Sequence, residues 1–203
     1  MTSTSCFWSR SIRAALALLA ALAFGCEQPT ARALPGASPS AAPGRRDVKL
    51  AQPTLFSRRA LLDGISELED AVGAPPRALE LTIHRDYLVL QAQNPKEPTE
   101  VLQYVYQDGK ISKPVAVELR GEGELKDNLF PLENVKLDRV PDLCEQARQK
   151  VDADAGRVSH VLVRRDLPES MNVQFRIYVT SPAKDGYLDA DQNGKAIESA
   201  VRD

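Results

Sequence analysis

The chain has 203 residues, with 28 acidic and 26 basic side chains and a formal net charge of −2 at pH 7. Arg10 and Arg13 are the only basic residues before Cys26, and every acidic residue follows it, so the remaining chain is mildly acidic. Such a balance provides no basic surface for nucleic acid and no polybasic patch for anionic lipid. We expect no nucleic-acid partner.

Residues 1–25 have the features of an export signal. Arg10 and Arg13 form a positive head, and Ala14 to Phe24 form an apolar run that is too short for a stable membrane span. The run ends in "LAFGC", which resembles the processing site of bacterial lipoprotein precursors. The resemblance implies that Cys26 carries a lipid anchor with palmitate.

Two residues of that site depart from the usual pattern, because Ala23 and Phe24 stand where leucine and a small residue are common. The alternative is ordinary cleavage after "ALA" at 21–23, which would give a soluble periplasmic protein. With Cys26 lipidated and Cys6 in the signal, Cys144 is left alone and no disulfide is expected.

Residues 26–53 form a second segment, rich in proline, alanine, serine and glycine after the cysteine. Its apolar residues follow no helical or strand period, so it has no face to bury. We predict a disordered tether between the lipid and a folded part.

The remaining chain contains an internal repeat that begins with a helix in each copy. Apolar residues recur at steps of four, three and four, which is the spacing of a buried helical stripe. The two stripes are Leu61, Ile65, Leu68 and Val72, and then Val140, Cys144, Ala147 and Val151. Gly73 and Gly156 follow them as predicted helix stops.

Alternating strands follow each predicted helix. The first strands, "ALELTIHRD" and "RVSHVLVRRD", both end in Arg-Asp. The second strands direct a matching set inward: Leu88, Leu90, Ala92, Phe175, Ile177 and Val179. Asp108-Gly109 and Asn193-Gly194 then predict hairpins with type I′ turns, which need positive φ at both central residues.

These elements predict an α+β fold class with two tandem helix–strand–strand–strand modules, each a helix packed on a small antiparallel sheet. The modules span 54–119 and 139–203, with a connector at 120–138. The first gains a fourth strand from "PVAVEL", and the second ends on "KAIESAV" as a last strand or a short tail.

One stretch, "DADQNGKAIESA", resembles the first half of a calcium loop. Asp189, Asp191 and Asn193 occupy ligand positions and Gly194 follows, but position 12 is Ala200 where an EF-hand needs glutamate. A weak calcium site at these three residues remains an alternative, whereas a hairpin is favoured. A role for Asp189 and Asp191 as general acid and base is disfavoured, because both are expected to be solvated.

Other catalytic candidates have structural interpretations. His84 and His160 lie on the strand face away from the helices and lack zinc-ligand spacing, so both are expected to be solvent-exposed. Cys144 lies on a buried helical stripe, and Ser66 lies on the polar side of a helix without a nucleophile motif. We expect no catalytic residue and no cofactor.

The sheet face away from the helices is the candidate binding surface. Amide, hydroxyl and tyrosine side chains suit adaptable polar contacts. The residues expected there are Thr82, His84, Val89, Gln91, Gln93, Gln174, Arg176, Tyr178 and Thr180. The alternative is that this face binds nothing, either because it is only solvated or because the two modules pack against each other through it. The sequence does not decide whether the strand face of Leu102, Tyr104 and Tyr106 belongs to the core or to the surface.

The two copies resemble tandem PepSY-like and beta-lactamase-inhibitor-protein-like modules, through the helix followed by alternating strands and the closing "DADQNGKAI". Gln192-Asn193 departs from the usual Ala-Thr of the PepSY ending. The resemblance implies binding, inhibition or an accessory role in the envelope and transfers no catalytic residue.

Together these observations predict a non-enzymatic, monomeric cell-envelope lipoprotein with an envelope protein partner. Glu27, rather than aspartate, follows the cysteine, which favours the periplasmic side of the outer membrane under the rule known for enteric bacteria. The alternative function is an envelope hydrolase or a calcium-binding enzyme.

Overall fold

Two amphipathic helices and a short one accompany a large antiparallel sheet in the computed structural model, which describes residues 54–73, 75–120 and 123–202. The predicted signal, Cys26 and the tether lie outside the described residues. The α-helices are α1 (Arg58–Val72), α2 (Leu125–Asn128) and α3 (Val140–Asp152), and two 3-10 turns, Leu132–Asn134 and Leu137–Arg139, precede α3. The strands are β1 (Arg77–His84), β2 (Tyr87–Asn94), β3 (Glu97–Gln107), β4 (Lys110–Ile111), β5 (Val115–Ala116), β6 (Phe130–Pro131), β7 (Arg157–Arg165), β8 (Val173–Thr180), β9 (Asp185–Asp191) and β10 (Ala196–Arg202). The fold class is therefore mixed α+β.

Both predicted helical stripes are confirmed, because every residue in them is buried. Gly73 ends α1 with a left-handed φ of 78°, and its amide donates to the Glu69 carbonyl. The prediction for Gly156 is wrong, because α3 ends at Asp152 and Gly156 does not have a positive φ. A Cβ at Gly156 would instead collide with the backbone oxygen of Asp152, so close packing requires glycine there.

The strands form one sheet in the order β10-β9-β8-β7-β1-β2-β3-β4, with β5 beside β3 and β6 beside β1. Every pair is antiparallel, and the two halves of the sheet join where β1 meets β7. At this junction Thr82 lies opposite Leu162, and Ile83 lies opposite Val161.

The two predicted glycine turns differ. Asp108 and Gly109 have φ values of 52° and 72°, which confirms the type I′ turn between β3 and β4. Asn193 does not have a positive φ, and only Gly194, at 78°, is left-handed. The Asp191 carbonyl accepts from Gly194 and the Asp191 amide donates to Lys195, which is a three-residue loop with a glycine bulge. The type I′ prediction for Asn193-Gly194 is therefore wrong.

The core lies between the sheet and α1 and α3. Tyr104 is buried and Leu102 and Tyr106 are half-buried against the core, so their face of β3 belongs to the interior. The segment predicted as a connector also supplies core side chains, although its sequence shows no clear period. They are Leu129, Phe130, Leu132, Val135 and Leu137.

The predicted outer strands have unequal lengths. Only Val115–Ala116 of "PVAVEL" forms a strand, and it pairs with β3. By contrast, "KAIESAV" lies largely within the seven-residue β10, which pairs with β9 from Asp185 to Ala190. Among the described residues, no helix is both long and apolar enough to cross a membrane.

Candidate functional site

The sheet face opposite the helices carries the predicted surface residues. Along β1, Leu81 and Ile83 are buried whereas Thr82 and His84 are half-buried, as alternation of a strand requires. The same alternation in β8 buries Phe175 and leaves its neighbours Gln174 and Arg176 half-buried. The assignment of these side chains to the helix-free face is confirmed, and we call this surface the open face.

A row of five rings crosses the open face from β2 to β9, and we call it the ring ladder. In spatial order it comprises Tyr87, His84, His160, Tyr178 and Tyr187. The first three contacts are stacked, with centroid separations of 4.1, 5.5 and 4.4 Å. The last, Tyr178 to Tyr187, is tilted at 55° with centroids 6.4 Å apart. These separations lie in or near the usual range for favourable ring contacts.

Strand register produces the ladder. His84 lies directly opposite His160, which lies opposite Tyr178, which lies opposite Tyr187. In the β7–β8 pair, a register shift between Val158 and His160 lies immediately before His160. The sequence pattern predicts both histidines on this face but does not predict that they lie together. Only the alignment of the two Arg-Asp strand ends could have suggested the pairing.

The surroundings of the two imidazoles at the centre of the ladder disfavour the charged form of each ring. Partial burial lowers the pKa of His84, although the Asp86 carboxylate opposes that shift. Burial lowers the pKa of His160 as well, and the neighbouring charge of His84 adds to the effect. The His160 Nδ1 lies 3.0 Å from the Ser159 hydroxyl oxygen. The two rings are therefore mostly neutral at pH 7.

An ion pair lies beside the outer end of the ladder. The Arg176 guanidinium donates to both carboxylate oxygens of Asp189, at 2.8 and 2.7 Å, and also lies 4.5 Å from the Tyr187 ring centroid. The Asp189 side chain is only 6% exposed. The expectation that Asp189 is solvated is therefore wrong, because the neighbouring strand supplies a bidentate partner.

The three candidate calcium ligands have separate surroundings. Asp189 is bound to Arg176, whereas one oxygen of Asp191 accepts from the backbone amides of Asn193 and Lys195 at 2.9 Å each. Asn193 itself is exposed in the turn. Within the described ranges, no group of three or more histidine, cysteine, aspartate or glutamate side chains could hold a metal ion.

Neither candidate nucleophile has an activating hydrogen bond in the described part of the chain. Cys144 is buried, and burial raises the pKa of its thiol to about 12. Ser66 is exposed on α1. In the described part of the chain neither histidine hydrogen-bonds a carboxylate, and the side-chain partner of His160 is the Ser159 hydroxyl. A nucleophile, a base and an orienting acid do not meet among these residues.

Comparison of the chain with protein-family models found no match, and a comparison with curated proteins found none either. Among solved structures, the chain is similar to a putative lipoprotein from Clostridium difficile 630. The identity is 10%, the TM-score is 0.46, and the match covers 70% of this chain and 92% of the other. A similarity at this level carries no argument about function.

Proposed function

We propose that this chain is a non-enzymatic, lipid-anchored binding protein of the cell envelope that presents its open face to an envelope protein. The ring ladder is the observation that carries the proposal. Tyrosine and histidine rings provide broad contact area, and rings that already stack on one another lose little conformational entropy on binding. Half-buried glutamine and threonine side chains around the ladder add adaptable hydrogen-bonding groups.

The surroundings of the polar groups support a binding role over catalysis. The Cys144 thiol is buried and protonated at neutral pH, and the Asp189 carboxylate is held by Arg176. The imidazoles of His84 and His160 stack on rings, and among the described residues neither hydrogen-bonds a carboxylate. In the described part of the chain, none of these four groups has the hydrogen-bonded partner that an activated nucleophile or base needs.

Sheet register supports an origin from two tandem modules of the PepSY-like kind. If the Arg85-Asp86 and Arg165-Asp166 ends are aligned, Thr82 and Leu162 are equivalent positions, and these two residues lie opposite each other at the β1–β7 junction. Two copies of one unit related by a twofold axis would pair in this way. In this proposal the two modules are joined edge to edge in one sheet, and the ring ladder crosses their junction.

The anchor is proposed from the sequence around Cys26, and the expected location is the periplasmic side of the outer membrane. Mass spectrometry of the mature N-terminus tests it directly. A diacylated or triacylated Cys26 is the expected result. An unmodified chain that starts at Phe24 would show ordinary cleavage and a soluble periplasmic protein.

The binding proposal is tested by affinity capture from native envelopes after mild cross-linking. The wild-type chain is compared with a ladder variant, His160→Ala with Tyr178→Ala, and with a control variant, Ser66→Ala with Glu67→Ala, on the exposed side of α1. A partner retained by the wild type and the control but lost by the ladder variant supports the proposal. Equal capture by all three, or cleavage of a generic ester or peptide panel by the pure chain, contradicts it.

A further inference from the structure

Among the described strands, β10 lies at one edge of the sheet. Within the described residues it pairs with β9 alone, and it has seven residues without proline. Ile197 and Val201 expose 64% and 43% of their surface along it. The free amides and carbonyls of a sheet edge can accept another strand, and the register shift that would oppose this in β10 lies at its beginning, between Ala196 and Glu198.

The charge pattern of this edge indicates which strand it would accept. Glu198, Ala200 and Arg202 lie opposite Asp189, Tyr187 and Asp185 of β9, so all three belong to the open face. A second β10 that runs antiparallel and is centred on Ala200 would place each Glu198 opposite the Arg202 of its partner. Opposite charges in directly facing positions stabilise a strand pair, whereas like charges destabilise it.

Other registers of two identical strands lack this match. A parallel copy in register would place Glu198 beside Glu198 and Arg202 beside Arg202. The antiparallel register centred on Ala200 also places Ser199 opposite Val201 on the helix-bearing face, without a buried charge. The segment from Glu198 to Arg202 is free of register shifts in its pairing with β9, so it offers a regular edge.

The protein already contains a junction of the same geometry. The β1–β7 pair joins the two halves of the sheet by antiparallel pairing centred on Thr82 and Leu162, with both helices on one face. A second junction at β10 would repeat this arrangement between two chains and continue the sheet. Both open faces would then lie on the same side.

From these observations we propose that β10 is a homodimer interface, in which a second copy of this chain pairs antiparallel about an axis at Ala200. The partner is the same chain, because the edge is complementary in charge to itself. This inference replaces the monomer expected from the sequence and does not depend on the open face binding a partner. A single strand pair is a small interface, so confinement to a membrane surface would raise its occupancy through the effective concentration.

Cysteine cross-linking in the full chain, expressed in its native envelope, tests the axis. Residues at a twofold axis meet their own copies at a separation that permits a disulfide. Ala200→Cys should therefore give a covalent dimer on mild oxidation with copper–phenanthroline, seen on a non-reducing gel. Ser66→Cys on the exposed side of α1 is the matched control and should stay monomeric. No dimer from Ala200→Cys, equal dimer from both variants, or an adduct with a different protein would overturn the proposal.

Charge reversal gives a second and independent test in the Ala200→Cys background. Glu198→Arg or Arg202→Glu alone places like charges opposite each other twice per dimer, and each should lower the rate of cross-linking about tenfold. The two reversals together restore opposite charges and should recover the rate. A melting curve confirms that every variant is folded. Single reversals that leave the rate unchanged, or a double variant as slow as the single ones, would exclude this register.

Discussion

His84 and His160 lie directly opposite each other on the two central strands, with their ring centroids 5.5 Å apart and their planes inclined by 22°. A tyrosine stacks on the outer side of each ring. Protonation of either imidazole places a charge in a partly buried stack, and protonation of both places two positive charges side by side. The centre of the open face is therefore sensitive to mild acid.

The first prediction is a loss of stability in mild acid. The pKa values of both histidines are lowered in the folded chain from the usual 6.5, so the unfolded chain binds more protons once the pH falls below about 6.5. The free energy of unfolding, measured with urea, should be constant above that pH and fall as the pH is lowered through the window beneath it. Most carboxylates remain ionised down to about pH 5.5 and contribute little there.

The matched control for this effect is a chain with His84→Gln and His160→Gln. It should show a flatter dependence between about pH 6.5 and pH 5.5 than the wild type. An equally steep fall in the double variant would assign the proton uptake to other groups.

The second prediction concerns the ion pair of Arg176 and Asp189. Arg176→Ala leaves a carboxylate that is 6% exposed without its bidentate partner, and we expect it to cost about 3 kcal/mol in the free energy of unfolding. Replacement of both residues, Arg176→Met with Asp189→Leu, should recover most of that loss. Glu118→Ala, in the exposed pair of Glu118 with Arg120, should change stability little. If Arg176→Ala lowered the free energy of unfolding no more than Glu118→Ala does, a structural role for the Arg176–Asp189 ion pair would be contradicted.

The third prediction concerns the contact between α1 and the sheet at Gly64. A Cβ there would lie 2.8 Å from Cε1 of Tyr106 and 3.0 Å from Cδ1 of Leu88. Gly64→Ala gains helix propensity of about 1 kcal/mol but forces a packed ring to move, which typically costs about 1–3 kcal/mol. We expect a net loss in chemical denaturation, whereas Ser66→Ala on the exposed side should be neutral or stabilising. A stabilised Gly64→Ala variant would show that α1 packs less closely against Tyr106 and Leu88 than these distances indicate.

The fourth prediction concerns the thiol of Cys144. Because burial raises its pKa to about 12, it should react with a thiol reagent at pH 8 very slowly in the folded chain and rapidly in denaturant. Peptide mapping by mass spectrometry identifies the labelled cysteine. An introduced thiol, Ser66→Cys, should react rapidly in the folded chain. Rapid native labelling of Cys144 would revive the interpretation of that thiol as a nucleophile.

The fifth prediction concerns calcium. Asp189 is held by Arg176 and one oxygen of Asp191 is held by turn amides, so calcium should not stabilise the fold measurably. The melting temperature should be the same with calcium and with a chelator. A ligand that binds only the folded chain raises that temperature, so an increase of several degrees would restore the metal interpretation of the loop.

Local sequence signals predicted several elements correctly. The helical stripe from Leu61 to Val72 and the alternation around Leu88 and Leu90 were predictable because burial of one face imposes a period on each element. The Asp108-Gly109 turn was predictable because few residues tolerate two successive positive φ values. The core segment around Phe130 was not predictable. Its apolar residues follow no regular spacing, and its place in the fold depends on pairing with β1, which is distant in the sequence.

Sequence by itself therefore determined which faces of α1, α3 and the main strands turn inward, since that choice depends on residues a few positions apart. Tertiary structure decided what those strands place side by side. The stacking of His84 on His160, the burial of Asp189 beneath Arg176 and the open edge of β10 all depend on strand order and register. Order and register are set by contacts between residues far apart along the chain, where local periodicity carries no information.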